Sequence, residues 1–392
     1  MEEDLLDEVR YGIIGFGNMG SHHARNFISG NVSGGRFTAA ADISEDRREL
    51  AAEALGDSSA VYENYRELLK SGKVDAVIIA TPHYQHPPIA IEAFEQGLHV
   101  LIEKPAGVYT RQVRQMNEAA AAVDKVFGIM YNQRTNPVYQ KVKDLIESGE
   151  LGEIKRTNWI ITSWYRPQSY YDSGVWRATW EGEGGGVLLN QCPHQLDLWQ
   201  WMCGMPKSVW AQCEFGKYHD IEVEDDVTAF VEYPNGATGV FITSTGEAPG
   251  TNRFEVMGDR GRVVIENGQV IFNRLRIPER QFNREFTGGF GSPEQWECNV
   301  RAPGIPAEHA GILRNFTNAV LNGEKLLAPG EEGINGLQLG NAMLLSTWLE
   351  KKVDIPVDEE AFFGKLQEMI KTSPGMKNKG EGKTLNVNGT FG

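Results

Sequence analysis

Cysteine is scarce in this chain. Its four residues, Cys192, Cys203, Cys213 and Cys298, form no C-x-x-C pair. That spacing supplies neither a disulfide framework nor a metal-ligand pattern, and it fits free, partly buried thiols in a reducing compartment. Positive charge is also short: 38 Lys and Arg stand against 53 Asp and Glu, a net charge of −15, which argues against a nucleic-acid partner. No apolar run is long enough to span a bilayer, so no membrane association is expected. The opening Met-Glu-Glu-Asp-Leu-Leu-Asp-Glu lacks the basic, apolar and cleavage regions of a secretion signal, and a cytoplasmic location is expected. What the chain does have is size. With 392 residues, 41% of them hydrophobic, it is long enough for two domains with substantial cores.

The first half alternates short apolar runs with helical stretches, which argues for a doubly wound parallel sheet. Residues 98–105, Leu-His-Val-Leu-Ile-Glu-Lys-Pro, read as a buried strand that stops at a charged pair and a proline. Ligands of open α/β sheets bind at the carboxyl ends of strands, so Glu103 and Lys104 point to chemistry there. Upstream, a short apolar strand runs into Gly15-Phe16-Gly17-Asn18-Met19-Gly20, a G-x-G-x-x-G turn before a helix expected over about 19–29. Gly15 permits the tight turn, Gly17 admits a pyrophosphate, and Gly20 lets the helix pack on the strand. The helix start near Asn18 offers amide donors to the phosphates.

Asp42, ending the second strand, suits the adenosine ribose hydroxyls and would repel a 2′-phosphate, which favours NAD over NADP. Arg47 could accommodate that phosphate or lie solvated on the next helix. A third strand ends at Thr81-Pro82, with His83 and His86 in the following loop. Thr81 and Pro82 could touch the cofactor, and His86 could reach the nicotinamide ribose. Further helices are expected over 87–96 and 110–123, with a last strand over 126–130. Asn132, just beyond it, completes the expected cofactor contacts, which also include Phe16, Met19, Glu103 and Lys104.

The second half changes pattern. After a helix near 136–148, hairpin signals recur around Asn235-Gly236 and Asn267-Gly268, which predicts an α+β domain on one large, mostly antiparallel open sheet. Helices should cover one face, and another subunit could meet the other. Residues 375–392, rich in glycine and lysine, read as a mobile or arm-like tail. The chemical centre of this half is 184–201. A glycine run leads to a helix expected from about 191 to 203, with Asn190 at its N-cap and sharing a face with His194. The positive helix end would hold His194 neutral, as a base requires. Just before it lie Tyr171, Trp176 and Arg177, among aromatic rings and hydrogen-bonding side chains of the kind a sugar needs.

These residues together resemble the glucose–fructose oxidoreductase, inositol dehydrogenase and MocA family. The match rests on Gly15-x-Gly17-x-x-Gly20, Asp42, Thr81-Pro82 with His86, Glu103-Lys104-Pro105, and Gly184-Gly-Gly followed by His194, and it spans residues 9 to about 371. The resemblance implies an NAD(P)-binding Rossmann domain (1–132), an α+β substrate-binding and oligomerisation domain (133–374) and then the tail. It also implies a homodimer or homotetramer through the open sheet, and sugar, glycoside or polyol substrates. The family often has an aspartate four residues before the histidine, where this chain has Asn190. Asparagine can orient a hydroxyl but cannot titrate. That leaves Lys104 and His194 as the catalytic pair, with Asp197 placed either to orient His194 or to serve the fold. The expected reaction is oxidation of a secondary hydroxyl, C3 of a glucoside by resemblance alone. The alternatives are a redox glycosidase that oxidises, eliminates, adds water and reduces on tightly bound NAD, and a non-catalytic dinucleotide-binding protein.

Overall fold

Uninterrupted aliphatic runs build the first sheet. In the computed structural model, which describes residues 7–374, its strands are Val9–Ile14 (β1), Gly35–Ala41 (β2), Val61–Tyr62 (β3), Ala76–Ile79 (β4), His99–Ile102 (β5) and Phe127–Ile129 (β6). The tail expected over 375–392 lies outside the described residues. All six strands run parallel in the order β3-β2-β1-β4-β5-β6. Val77, Ile78 and Ile79 are fully buried, each worth about 1.5–3 kcal/mol for leaving water. A strand covered on both faces can carry such a run without alternation. Helices Asn18–Ile28 (α1), Glu45–Leu55 (α2), Tyr65–Leu69 (α3), His86–Glu95 (α4) and Thr110–Ala121 (α5) connect the strands. The strand order reverses between β1 and β4, and that reversal opens the crevice where such sheets take ligands.

Helix Pro137–Glu147 (α6) leads into a nine-stranded sheet of Ile154–Ile161 (β7), Ser208–Phe215 (β8), Glu224–Glu232 (β9), Thr238–Ser244 (β10), Asn252–Gly258 (β11), Gly261–Glu266 (β12), Gln269–Leu275 (β13), Gln295–Val300 (β14) and Val353–Asp354 (β15). Every pairing is antiparallel except β7 with β10. The hairpin signals hold. Asn267 and Gly268 both take positive φ (51° and 71°) between β12 and β13, as a tight two-residue turn requires.

One face of this sheet carries helices. Gln168–Tyr171 (α7) lies in the loop after β7, and Pro193–Cys203 (α8) is tied to β7 by Trp199 Nε1 donating to Thr157 Oγ1 at 3.0 Å. Glu279–Glu285 (α9), Glu308–Asn322 (α10), Gly333–Leu349 (α11) and Glu359–Thr372 (α12) complete the helices. The other face is open. Trp210 and Phe230 pair in register across β8 and β9 and remain 61% and 43% exposed.

The chain then returns to the first sheet. Thr317 on α10 bonds Tyr11 of β1 at 2.7 Å, and Ile129 of β6 donates to the Ala328 carbonyl at 3.1 Å. Phe316 and Leu313, both buried, extend the first core from a segment some 300 residues away. No helix of the described residues is long and apolar enough to cross a membrane.

Candidate active site

The glycine turn sits at the carboxyl end of β1. Gly15 has φ +89°, and a Cβ there would meet the Ala80 carbonyl oxygen at 2.6 Å. At Gly20 a Cβ would fall 2.0 Å from the Gly15 oxygen, so the helix and turn approach as only glycine allows. Gly17 differs: a Cβ there would meet nothing within 4 Å. That open side faces a helix start whose N-cap, Gly17, provides no side-chain hydrogen bond, leaving the amides near Asn18 and Met19 for an anion. These features fit the pyrophosphate of a dinucleotide.

Asp42 lies one residue past β2. Its carboxylate accepts from the Phe16 amide at 2.6 Å and the Ser44 amide at 2.9 Å, so it also locks the turn. The Phe16 ring itself is buried and stacks on Phe37, so this position can offer only backbone to a cofactor. Arg47 lies on the first turn of α2. Thr81 and Asn132 each keep a buried side-chain oxygen without a hydrogen-bond partner among the described residues, just past the ends of β4 and β6. Pro82 is exposed beside Thr81.

Two expected cofactor residues have other work. His86 Nδ1 lies 2.8 Å from the Pro105 carbonyl oxygen and Nε2 2.7 Å from that of Thr81. Both nitrogens face main-chain carbonyl oxygens, to one of which the neutral ring donates, so neither edge is turned to a ribose. Glu103 Oε1 accepts from His23 Nε2 of α1 at 2.6 Å, and Oε2 accepts from the Lys104 amide. Burial pushes the Glu103 carboxyl up, but the His23 hydrogen bond and charge, with His309 and Lys104, outweigh it and bring it down to about 2. Glu103 therefore pins the glycine-turn helix to the end of β5.

Lys104 turns the opposite way, toward the second sheet. Its Nζ donates to the Asn190 carbonyl oxygen at 2.9 Å. Burial lowers its pKa, Glu103 and Glu183 act to raise it, and Arg177 lowers it further. His194 is the second residue of α8, and its pKa is pushed well below the ordinary imidazole range. The largest cause is burial and the next is the charge of Lys104, so the neutral ring expected from the helix end has a different main origin. Its buried Nδ1 has no hydrogen-bond partner among the described residues. Asp197 does not orient it. Both Asp197 oxygens accept from Arg134, at 2.6 and 2.8 Å, in a buried fork.

The helix expected from 191, capped by Asn190, instead begins at Pro193 with Cys192 at its N-cap. A proline fits a helix best in its first turn, and Asn190 is already used elsewhere. Its amide donates to Glu183 Oε1, and its side-chain oxygen accepts from the Tyr170 hydroxyl at 3.3 Å. Asn190 thus lies outside the helix that carries His194, and the two do not share a helix face. Tyr171, expected to clamp the substrate, points inward instead: it is buried and its hydroxyl donates to Thr245. Adjacent residues on a helical turn face different directions, and Tyr170 takes the site-facing place. Arg177 donates to the Tyr170 hydroxyl at 2.7 Å and lies over the Tyr170 and Trp176 rings at 4.5 and 4.7 Å. Trp176 also meets His83 edge-on at 5.9 Å.

Sequence reading missed Glu183 as a site member, placed Tyr170 in the aromatic stretch but chose Tyr171 for the clamp, and left His83 without a role. His83 is buried, with Nδ1 3.2 Å from the Glu183 carbonyl oxygen, and burial above all holds it neutral. The glycine run explains how this wall is built. A Cβ on Gly186 would fall 1.9 Å from the Glu224 carbonyl oxygen, and the buried Glu224 carboxylate accepts from the Gly186 and Leu188 amides at 2.9 and 3.0 Å.

Two family models match the chain: an oxidoreductase family with an NAD-binding Rossmann fold over residues 9–131, and a GFO/IDH/MocA C-terminal domain over residues 139–264. Among curated proteins, myo-inositol 2-dehydrogenase of Thermotoga maritima is 26% identical over 359 residues, covering 90% of this chain and 99% of that protein. Levoglucosan dehydrogenase of Pseudarthrobacter phenanthrenivorans is 25% identical over 391 residues, covering 90% and 99%. Among solved structures, the WlbA dehydrogenase from Bordetella pertussis, in complex with NADH and UDP-GlcNAcA, superposes with a TM-score of 0.75 at 25% identity, covering 90% of this chain and all of that one.

Proposed function

This chain belongs to the GFO/IDH/MocA family of oxidoreductases, and on that premise we propose that it oxidises a secondary hydroxyl of a sugar, glycoside or polyol. The observation that carries the reading is Lys104, at the end of the parallel sheet, donating to the Asn190 carbonyl four residues before His194, whose ring is held neutral by burial and then by the charge of Lys104. NAD, when bound, supplies the hydride acceptor at nicotinamide C4. Gly17 and the uncapped start of α1 would hold its pyrophosphate, Asp42 its ribose, and the orphaned oxygens of Thr81 and Asn132 stand ready for its polar edges.

In this reading His194 accepts the proton of the reacting hydroxyl, a task for which a neutral imidazole is required. Lys104 holds the same oxygen by a charge-assisted hydrogen bond and stabilises the negative charge that develops there. Trp176 and Tyr170 give the apolar faces a sugar ring stacks on, and Arg177 with Asn190 gives polar edges. The relatives that carry dehydrogenase names act on inositol and levoglucosan, cyclic polyhydroxylated molecules, which supports a ring substrate. C3 of a glucoside is the position we propose. We further propose a homo-oligomer through the open face that bears Trp210 and Phe230.

The test follows NADH absorbance and nitrophenol release together while purified protein and NAD meet a panel of sugars and nitrophenyl glycosides. NADH accumulation with the glycosidic bond intact is expected. Nitrophenol release that depends on NAD yet produces no net NADH would replace the dehydrogenase with a redox glycosidase. Tight NAD binding with no turnover on any substrate would favour the non-catalytic alternative. Lys104→Ala should lower turnover by about 10²- to 10⁴-fold while NAD binding persists; unchanged turnover would remove Lys104 from the chemistry.

A further inference from the structure

Glu183 is almost completely buried between the two halves of the site, 2% exposed, and both its oxygens are engaged. Oε2 accepts from the Ala178 amide at 2.6 Å and Oε1 from the Asn190 side-chain amide. The Arg177 guanidinium lies 3.7 Å from Oε1. Asn190 is therefore held from two sides, its amide by Glu183 and its carbonyl oxygen by Lys104. Every direct partner of this carboxylate is a hydrogen-bond donor or a cation; burial, the largest influence, raises its pKa, while Arg177, the Ala178 and Asn190 hydrogen bonds and Lys104 all favour its ionised form. Asn190 occupies the position where the resemblance expects a carboxylate. Here a negative charge reaches the same place from seven residues upstream, across the glycine run.

We propose that Glu183 is the resident carboxylate of this site, a positioning residue that fixes Asn190 and Arg177 and balances the charge of Lys104. The inference rests on the dehydrogenase reading for its catalytic consequence but not for its electrostatic one. Without Glu183, Arg177 has no carboxylate opposite it and Asn190 loses the acceptor that turns its oxygen toward Tyr170. The substrate wall then loses its register with Lys104, and misplacement of that kind lowers turnover more than binding.

The groups that face Glu183 are Arg177 from its own loop, Lys104 from the end of β5, His83 at its main-chain carbonyl, and Glu224 from β9. Lys104 faces Glu103 and Cys192 in addition, and the neutral rings of His83 and His86 from the β4 end, His194 from α8 and His309 from α10. Of these, Glu183 and Glu103 favour the charged lysine, so removing one of them should release its proton at lower pH.

Glu183→Gln tests this with a readout that needs no substrate. Competitive labelling of amines by trace acetic anhydride, followed by peptide mass spectrometry across pH, reports the titration of Lys104 directly. The expected midpoint falls by about one pH unit, as loss of a neighbouring opposite charge predicts. With the substrate found above, kcat should drop by about tenfold or more while NAD affinity stays within about twofold. An unmoved Lys104 midpoint in a folded Glu183→Gln protein overturns the proposal whether or not a sugar substrate is ever found. A purely structural Glu183 would lower kcat without moving that midpoint.

If Glu183→Gln fails to fold, the reciprocal variant carries the test. Lys104→Met removes the cation, and difference infrared spectroscopy should then show a buried carboxyl protonating at higher pH than in the parent. An unchanged carboxyl titration there also overturns the pairing.

Discussion

Acid should weaken this protein through one carboxylate more than through its neighbours. Glu103 is held at about 2, against 4.5 for an unperturbed glutamate. A carboxyl whose folded pKa is depressed contributes stability that is complete above about pH 4.5 and disappears as the pH falls toward 2. The full gap corresponds to about 3 kcal/mol, of which about 2 kcal/mol is lost by pH 3. Glu103→Gln abolishes that titration while keeping an oxygen to accept from His23. Both proteins also lose stability as the unfolded chain protonates His309, whose folded pKa burial lowers to about 3; Glu103 acts to raise that pKa, so the variant loses slightly more through His309 and the difference between the two proteins understates what Glu103 contributes. Urea unfolding followed by far-ultraviolet circular dichroism at pH 6 and pH 3 provides the measurement. The parent midpoint should fall by about 0.5–1 M more than that of the variant, taking a urea dependence of roughly 3 kcal/mol/M. Parallel falls would refute the argument, because they would mean that the His23–Glu103 contact at 2.6 Å does not hold the carboxylate in its charged form.

Three other substitutions separate the parts of the molecule. Gly17→Ala adds a methyl that meets no protein atom within 4 Å, so thermal stability should be unchanged while NAD affinity, read by energy transfer from tryptophan to bound NADH, falls at least about tenfold. Equal NAD affinity would show that no phosphate approaches this glycine. Gly186→Ala places a carbon 1.9 Å from the Glu224 carbonyl oxygen, where backbone must give way, and should cost about 3 kcal/mol or more in thermal unfolding. Trp210→Asp on the open sheet face should reduce the particle size in light scattering without changing NAD affinity, since the ring is 61% exposed and remote from the glycine turn; an unchanged mass would exclude this face as the subunit contact.

Local signals were legible in the chain and long-range ones were not. The G-x-G-x-x-G turn, the strand that ends in Glu103-Lys104 and the Asn-Gly hairpins each depend on residues within a few positions of one another, and each stands where the spacing predicts. The parallel pairing of β7 with β10 and the return of α10 to the first sheet have no such local mark. Thr317 meets Tyr11 only because the chain folds back over 306 residues, and nothing periodic near either residue announces it.

The same division explains the site. Tyr170 and Tyr171 are indistinguishable by type, and only the packing of a four-residue helix decides that one bonds Arg177 while the other bonds Thr245. His86 has the spacing of a cofactor ligand, but two carbonyls brought together by tertiary structure claim both its nitrogens. Glu183 was hidden for a different reason. An acidic residue beside a glycine run is ordinarily a solvated loop carboxylate, and sequence carries no measure of its burial. Lys104 already has Glu103 beside it, but Arg177 gains from a negative charge of its own, and Asn190 cannot provide it. The sequence offered Asp197 for that part, but Arg134 claims Asp197, and the carboxylate that meets the Asn190 amide is Glu183, seven residues upstream across the glycine run.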